Sequence, residues 1–117
     1  MVKDNVRDYA TAAFREYARL GCPTPEAISR ERDVALAADL HAVSECLQIL
    51  RVEEQAYIED AVREVYFSAP DVPLRKGDVG KRVAAFARAY PASEITVYRW
   101  LARARWLFAR LRGIRIT

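Results

Sequence analysis

Arginines near the carboxyl end of the chain are the residues whose type and spacing suggest chemistry. Thr96, Arg99, Arg103 and Arg110 follow one another at steps of three, four and seven residues, so on an α-helix they form one polar stripe. A guanidinium donates two parallel hydrogen bonds from a rigid planar fork to a phosphate or to a guanine edge, a geometry that an ammonium lacks. The stripe therefore predicts an anionic partner, and we expect double-stranded DNA.

The opposite side of the same helix is apolar. Val97, Leu101, Ala104, Phe108 and Leu111 lie within about 40° of one direction when successive residues turn by roughly 100°. A helix with this pattern is packed against a core by its apolar face. We therefore expect the arginines of the stripe to point outward.

Charge is unevenly distributed along the chain. Residues 1–73 contain eight basic and 14 acidic residues, whereas residues 74–117 contain 11 basic residues and only Asp78 and Glu94 as acids. A compact basic segment beside an acidic one favours a polyanion partner for the basic part, although a solvated arginine-rich surface is the alternative. We predict an acidic helical part, 1–73, for dimerisation or partner contact, and a basic DNA-binding part, 74–117.

Composition and periodicity predict an all-α fold of about five helices. Gly and Pro are scarce, with four and five copies, and apolar residues recur at helical spacing. Thr24 and Ser93 are expected helix N-caps, Gly21 and Gly113 are expected ends, and Glu53 and Glu54 are expected in a first turn. The predicted helices cover residues 3–20, 25–51 with a break near 30–33, 53–67, 78–90 and 94–112.

The last two predicted helices have the outline of a helix-turn-helix. A shorter helix is followed by a break at residues 90–92 and by a longer basic helix. In such a pair the first turns of the second helix contact base edges, and the first helix crosses the phosphate backbone. We therefore expect residues 74–117 to bind in the major groove.

Each polar residue of this pair has an expected role. Base contacts are predicted for Glu94, Thr96 and Arg99, because these side chains suit cytosine, thymine and guanine edges respectively. Ser93 and the amides at the helix start can hold a phosphate. The predicted phosphate and positioning contacts are Arg103, Arg110, Arg75, Lys76, Lys81 and Arg82.

Residues 93–105, SEITVYRWLARAR, resemble the recognition helix of sigma-factor region-four domains. They are also similar to phage late-transcription regulators of the ArpU and RinA type. Residues 39–50 and 53–66 resemble the two helices before that motif, and residues 6–18 resemble the N-terminal helix of related phage-encoded small proteins. The resemblance implies a transcriptional regulator of phage or prophage origin. We expect its N-terminal part to serve dimerisation or contact with RNA polymerase. The base-contacting positions that it implies are Glu94, Ile95, Thr96, Tyr98 and Arg99.

Other reactive residue types form no catalytic pattern. His41, Cys22 and Cys46 have no motif partner, so we expect structural roles for them. The carboxylates between residues 53 and 64 are expected on an exposed helix face. No glycine-rich phosphate loop or nucleophile motif occurs. We predict that the chain is not an enzyme and needs neither cofactor nor metal.

Two tryptophans follow the predicted base contacts. Trp100 is expected at the edge of the core. Trp106 is expected near the outward side, where it suggests a docking surface and a homodimer.

The first 20 residues carry charges throughout, so no signal peptide is expected, and no run approaches the roughly 20 apolar residues of a membrane span. We therefore expect a cytoplasmic protein with no membrane partner.

The expected function is sequence-specific DNA binding in transcriptional regulation. A small terminase subunit, which would act as a DNA-packaging adaptor, is one alternative, and a ring-shaped oligomer would favour it. A protein-interaction module that docks on an acidic partner such as RNA polymerase is the other. Absence of DNA binding at low salt would favour that second alternative.

Overall fold

The computed structural model describes residues 5–114, and all regular structure in that range is helical. A π-helical segment, Arg63–Phe67, continues the fourth helix. The all-α fold class is therefore confirmed for the described part of the chain. The α-helices are α1 (Asn5–Arg19), α2 (Pro25–Ile28), α3 (Val34–Val52), α4 (Ala56–Val62), α5 (Asp78–Ala89) and α6 (Glu94–Arg112).

Three helices begin at side-chain caps. The oxygens of Thr24, Asp33 and Ser93 accept hydrogen bonds from backbone amides three residues later, at 3.2, 3.0 and 3.1 Å. Each bond satisfies an amide that has no partner within its helix. The predicted caps at Thr24 and Ser93 are confirmed. Asp33 starts α3, so the predicted break near residues 30–33 separates α2 from α3.

Two glycines follow helix ends, as predicted. Gly21 and Gly113 have φ values of 81° and 78°, in the left-handed region that a side chain disfavours. The amide of Gly113 donates to the carbonyl of Arg110 at 3.2 Å. The last helix therefore has the predicted bounds, 94–112.

The start of the third predicted helix was placed wrongly. Glu53 closes α3, because its amide donates to the carbonyl of Ile49 at 2.9 Å. Glu54 takes a left-handed φ of 61°, which reverses the chain before α4 begins at Ala56. The two glutamates therefore lie in the turn between α3 and α4 and not in the first turn of a helix.

Helix α6 lies at the centre of the fold. Its residues Leu101, Ala104 and Phe108 are fully buried, and the helix packs against α1, α3, α4 and α5. The ring centroid of Phe108 lies 5.8 Å from that of Phe14 in α1. One continuous core thus includes residues from both sides of the predicted boundary at 73/74, and the functional division there stays a prediction.

The length and apolar character of each helix show whether it could span a membrane. Within residues 5–114, none of the helices combines the length and the apolar character that crossing a bilayer requires.

Candidate nucleic-acid interface

The two halves of α6 are enclosed to different extents. In the C-terminal half Ala104, Leu107, Phe108 and Ala109 are all buried. These four residues span a wide arc of the helix circumference. The C-terminal half of α6 is therefore packed against other helices on several sides.

The N-terminal half of α6 is more open. Val97 and Leu101 anchor it and are fully buried, whereas the exposed fractions of Ile95 and Tyr98 are 67% and 43%. Arg99 is also exposed. The first turns of α6 consequently present side chains to solvent on more than half of their circumference.

The outward stripe of α6 has the predicted orientation. Arg99 and Arg110 are exposed, and Thr96 and Arg103 are half-buried. The residues predicted to face inward are buried, except for the half-buried Leu111. The outward stripe comprises Ile95, Thr96, Arg99, Arg103, Trp106 and Arg110.

Trp106 lies between two arginines of the stripe. The Cζ atoms of Arg103 and Arg110 are 5.2 and 4.9 Å from its ring centroid, which is cation–π distance. Arg103 also makes a long contact of 3.5 Å with Glu53. The spacing of three and four residues indicates this stack, whereas the role expected for Trp106 was in a docking surface. The stack orients both guanidiniums along the surface of α6.

Ser93 and Thr96 form a joined cap at the start of the stripe. The Ser93 hydroxyl accepts from the Thr96 amide and donates to the Thr96 hydroxyl, at 3.1 and 2.8 Å. Two of the predicted DNA contacts therefore also hold the first turn of α6 in shape. Glu94, the other predicted contact in this turn, is exposed.

Helix α5 contributes a second basic surface beside α6. Lys81 and Arg88 are exposed on it, and Arg75 and Lys76 are exposed just before it. Arg82 differs, because it is half-buried and its Nη1 donates to the carbonyl of Val65 at 2.9 Å. Four cations thus face solvent near α5, whereas Arg82 takes part in the fold.

An aromatic cluster fixes α5 against α6. The ring of Trp100 in α6 lies 4.9 Å from that of Tyr57, 5.8 Å from that of Tyr90 and 6.4 Å from that of Phe86. Trp100 is half-buried, in agreement with its predicted place at the edge of the core. These contacts join α4, the end of α5 and the N-terminal half of α6.

Two further arginines of α6, Arg105 and Arg112, form hydrogen bonds with residues of other helices. Arg105 Nη1 donates to the Tyr66 hydroxyl at 2.6 Å. Arg112 Nε donates to Asp39 Oδ1 at 2.7 Å, and Tyr9 donates to the same oxygen. The hydrogen bond with Asp39 raises the pKa of Tyr9. These arginines tie α6 to its neighbours, whereas, among the described residues of the outward stripe, only Arg103 makes a comparable contact, at 3.5 Å from Glu53.

One carboxylate predicted to be exposed is buried. Glu59 is only 7% exposed and accepts hydrogen bonds from Arg51 and Arg63, the shortest at 2.6 and 2.8 Å. The bond from Arg51 is the main cause that lowers the pKa of Glu59. Helical geometry explains the position, because Glu59 lies about 60° from the inward residue Val62. Glu59 therefore joins the two arginines to α4.

Cys46 and His41, two side chains of reactive type, belong to no catalytic or metal-binding cluster within residues 5–114. Cys46 is buried, donates to the carbonyl of Ala104 at 3.4 Å, and burial raises its pKa to about 12. His41 is exposed on α3. In the described range, three or more His, Cys, Asp or Glu side chains nowhere converge as a metal site would require.

Comparisons of this chain with protein-family models, with curated proteins and with solved structures find no match. What the α5–α6 surface can bind must therefore follow from its own charge and shape.

Proposed function

We propose that this protein is a sequence-specific DNA-binding transcriptional regulator whose α5 and α6 act as a helix-turn-helix. The observation that carries the proposal is the N-terminal half of α6. It buries Val97 and Leu101 and presents Ile95, Tyr98 and Arg99 to solvent. A helix anchored on one side and open on the other can enter a major groove with its first turns.

The base contacts belong to the first two turns of α6. Arg99 is exposed and can donate two hydrogen bonds to a guanine. Glu94 can accept from cytosine, and Thr96 and Ile95 offer methyl groups to thymine. Tyr98 lies at the side of the stripe that faces α1. These contacts would give sequence preference.

The phosphate contacts lie on both sides of the groove. Arg103 and Arg110, oriented by Trp106, can bind one strand where α6 leaves the groove. Lys81 and Arg88 on α5, with Arg75 and Lys76 before it, can bind the other strand. Each such contact releases counterions from the duplex, so binding must weaken as the salt concentration rises.

Fluorescence anisotropy with labelled duplexes tests this function. Random duplex DNA is titrated across a salt series, and a random pool is then selected for tight binders. We expect salt-dependent binding and an enriched motif. Arg32→Ala is a matched control, because it removes an exposed arginine from the loop before α3. No binding at about 50 mM salt would contradict the proposal, since phosphate contacts are strong at low salt.

A second candidate function is docking on an acidic protein. The exposed fractions of Ile95, Tyr98 and Trp106 are between 41% and 67%. Such apolar side chains among arginines are typical of protein interfaces. RNA polymerase or a second copy of the chain would be the partner. Failure of DNA binding together with retention of this protein on immobilised polymerase would favour docking.

The expected homodimer has its own test. Paired subunits would contact two DNA half-sites about one helical turn apart. Sedimentation equilibrium of the free protein distinguishes the alternatives. A dimer supports paired half-sites, a monomer contradicts them, and a larger ring would favour the DNA-packaging alternative.

A further inference from the structure

A cleft of about 630 Å³ opens on the side of the molecule next to Tyr98. Its walls are α1, the π-helical segment and the loop after it, the start of α5 and the middle of α6. This volume lies in the range of small-molecule sites, roughly 300–1,000 Å³. Its size therefore suits a small ligand better than a macromolecule.

The floor of the cleft is apolar and includes one exposed ring. Leu74 comes from the loop, Val79 from α5 and the ring of Tyr98 from α6. Leu101 and Tyr66 are buried beneath this surface. Rings and branched side chains bind a flat apolar body by dispersion and by exclusion of water.

The polar lining of the cleft is mostly positive. It contains four arginines, Arg7, Arg15, Arg19 and Arg105, and only two acids, Asp8 and Glu16. Asp8 contacts Arg7, and Glu16 contacts Arg19. The two acids are therefore already engaged by the arginines at the rim.

Arg15 and Arg105 donate hydrogen bonds to uncharged partners. Arg15 donates to four backbone carbonyls of residues 66–72, at 2.5–2.9 Å. Arg105 donates to the phenol of Tyr66. Neither arginine has a carboxylate within ion-pair distance in the described part of the chain.

Burial and the nearby charge of Arg82 lower the pKa of Arg15, against the opposing effect of Asp78. Arg15 thus lies where burial, and the charge of an arginine outside the cleft lining, disfavour its positive charge. An anion in the cleft would offset this unfavourable environment and would gain charge-assisted hydrogen bonds.

We propose that this cleft binds a small anion with a flat apolar body, such as an aromatic carboxylate or sulfonate. Leu74, Val79 and the exposed ring of Tyr98 receive the body. Arg105 donates to the charged group. Arg15 supplies positive potential while it continues to hold the loop. The proposal is argued from the cleft and does not rest on DNA binding, although Tyr98 belongs both to the cleft and to the proposed DNA-binding surface.

Two dyes of the same shape test the proposal on the whole chain. Anilinonaphthalene sulfonate is a flat anion, and phenylnaphthylamine is its neutral counterpart. We expect one sulfonate dye per chain, bound about tenfold more tightly than the neutral dye, because a hydrogen bond to a charged group contributes about that factor. Equal affinity for the two dyes, or no binding of the sulfonate, would overturn the proposal.

Matched variants locate the binding site of the dye. Ala12 is an exposed residue at the mouth of the cleft, and Ala35 is an exposed residue on α3 away from it. Ala12→Trp should weaken binding of the sulfonate dye about tenfold by filling the mouth, whereas Ala35→Trp should leave it unchanged. Unchanged binding by Ala12→Trp would overturn the proposal.

A further variant isolates the charge. Arg105→Met should weaken the sulfonate dye about tenfold and leave the neutral dye unaffected. An equal loss for both dyes would contradict an anion contact at Arg105. Loss of the bond to Tyr66 could prevent Arg105→Met from folding. In that case the affinities of the two dyes for the unaltered protein and for Ala12→Trp still decide the proposal.

Discussion

At the residue scale, the arginines of α6 divide by what they touch. Arg105 and Arg112 bond to Tyr66 and Asp39 and hold the helix in the core. Arg99, by contrast, is exposed at the open end of α6. Arginine therefore bonds within the fold at Arg105 and Arg112, whereas at Arg99 we propose that it contacts DNA. Substitutions should separate the two roles.

Arg99→Ala is expected to weaken binding to the selected DNA site by about 1–3 kcal/mol and to relax the preference at one base pair. The reason is loss of a two-pronged contact with a base edge. Anisotropy with the selected site and its single-base-pair variants measures this effect. Arg32→Ala should change neither quantity. A uniform loss over all sequences would show that Arg99 contacts phosphate and not a base.

Arg110→Ala is expected to weaken binding to all duplexes about equally and to lower the salt slope by about one. Its guanidinium lies against Trp106 near the end of α6, where the helix would leave the groove. The measurement is affinity against salt concentration for specific and random duplexes. A salt slope equal to that of the unaltered protein would contradict a phosphate contact.

Glu59→Gln tests the buried carboxylate between Arg51 and Arg63. The pKa of Glu59 is lowered from its usual 4.5, so the ionised group stabilises the fold above that pH. This contribution is lost as the pH falls through the lower pKa of the folded state. We expect the free energy of unfolding to fall by about 1–2 kcal/mol at neutral pH.

Urea unfolding across the acidic range measures this effect. The difference between Glu59→Gln and the unaltered protein should shrink as the pH falls. Glu64→Gln removes the same charge from an exposed position on the next turn, and it should have little effect. A difference that stays constant with pH would mean that packing, and not charge, accounts for the loss.

At the element scale, the open end of α6 depends on its cap. Ser93→Ala removes the acceptor of the Thr96 amide and should lower the free energy of unfolding by about 1 kcal/mol. The first turn should fray, so specific DNA binding should weaken as well. Ser93→Asn keeps an acceptor and should preserve both properties. Thermal unfolding and anisotropy are the measurements, and unchanged stability of Ser93→Ala would contradict the role of the cap.

The sequence predicts best those helix bounds and faces that are set by interactions between residues close together in the chain. Ser93 begins α6 and Gly113 ends it, because a side-chain oxygen and a left-handed φ act within a few residues. The inward face of α6 also follows from helical spacing alone. Local hydrogen bonding and periodicity thus predicted both bounds and the facing of the proposed DNA-binding helix.

The features that the sequence does not predict depend on distant partners. Glu54 reverses the chain because α4 must pack beside α3, and nothing in the local glutamate-rich sequence indicates that turn. Arg82 bonds to the carbonyl of Val65, 17 residues earlier. Arg15 holds a loop more than 50 residues away. Local propensity carries no information on these contacts, since they form only when the helices meet.

At the scale of the whole molecule, one core joins all the helices. Leu101, Ala104 and Phe108 of α6 pack among residues of α1, α3 and α4. We expect a single unfolding transition, with tryptophan fluorescence from Trp100 and Trp106 coinciding with far-ultraviolet circular dichroism. A fragment of residues 74–117 should show no cooperative transition. A fragment that folds alone would establish the basic part as an independent domain.

The central position of α6 has a consequence for synthesis. Translation proceeds from the amino end, so α1, α3 and α4 leave the ribosome before the helix that fills the space between them. Until residue 112 has been added, Phe14 in α1 lacks its partner Phe108, and the matching apolar faces of α3 and α4 stay open. The nascent chain is then a ligand for chaperones and a risk for aggregation. Completion of the native core is a late event, coupled to the emergence of the same helix that we propose contacts DNA.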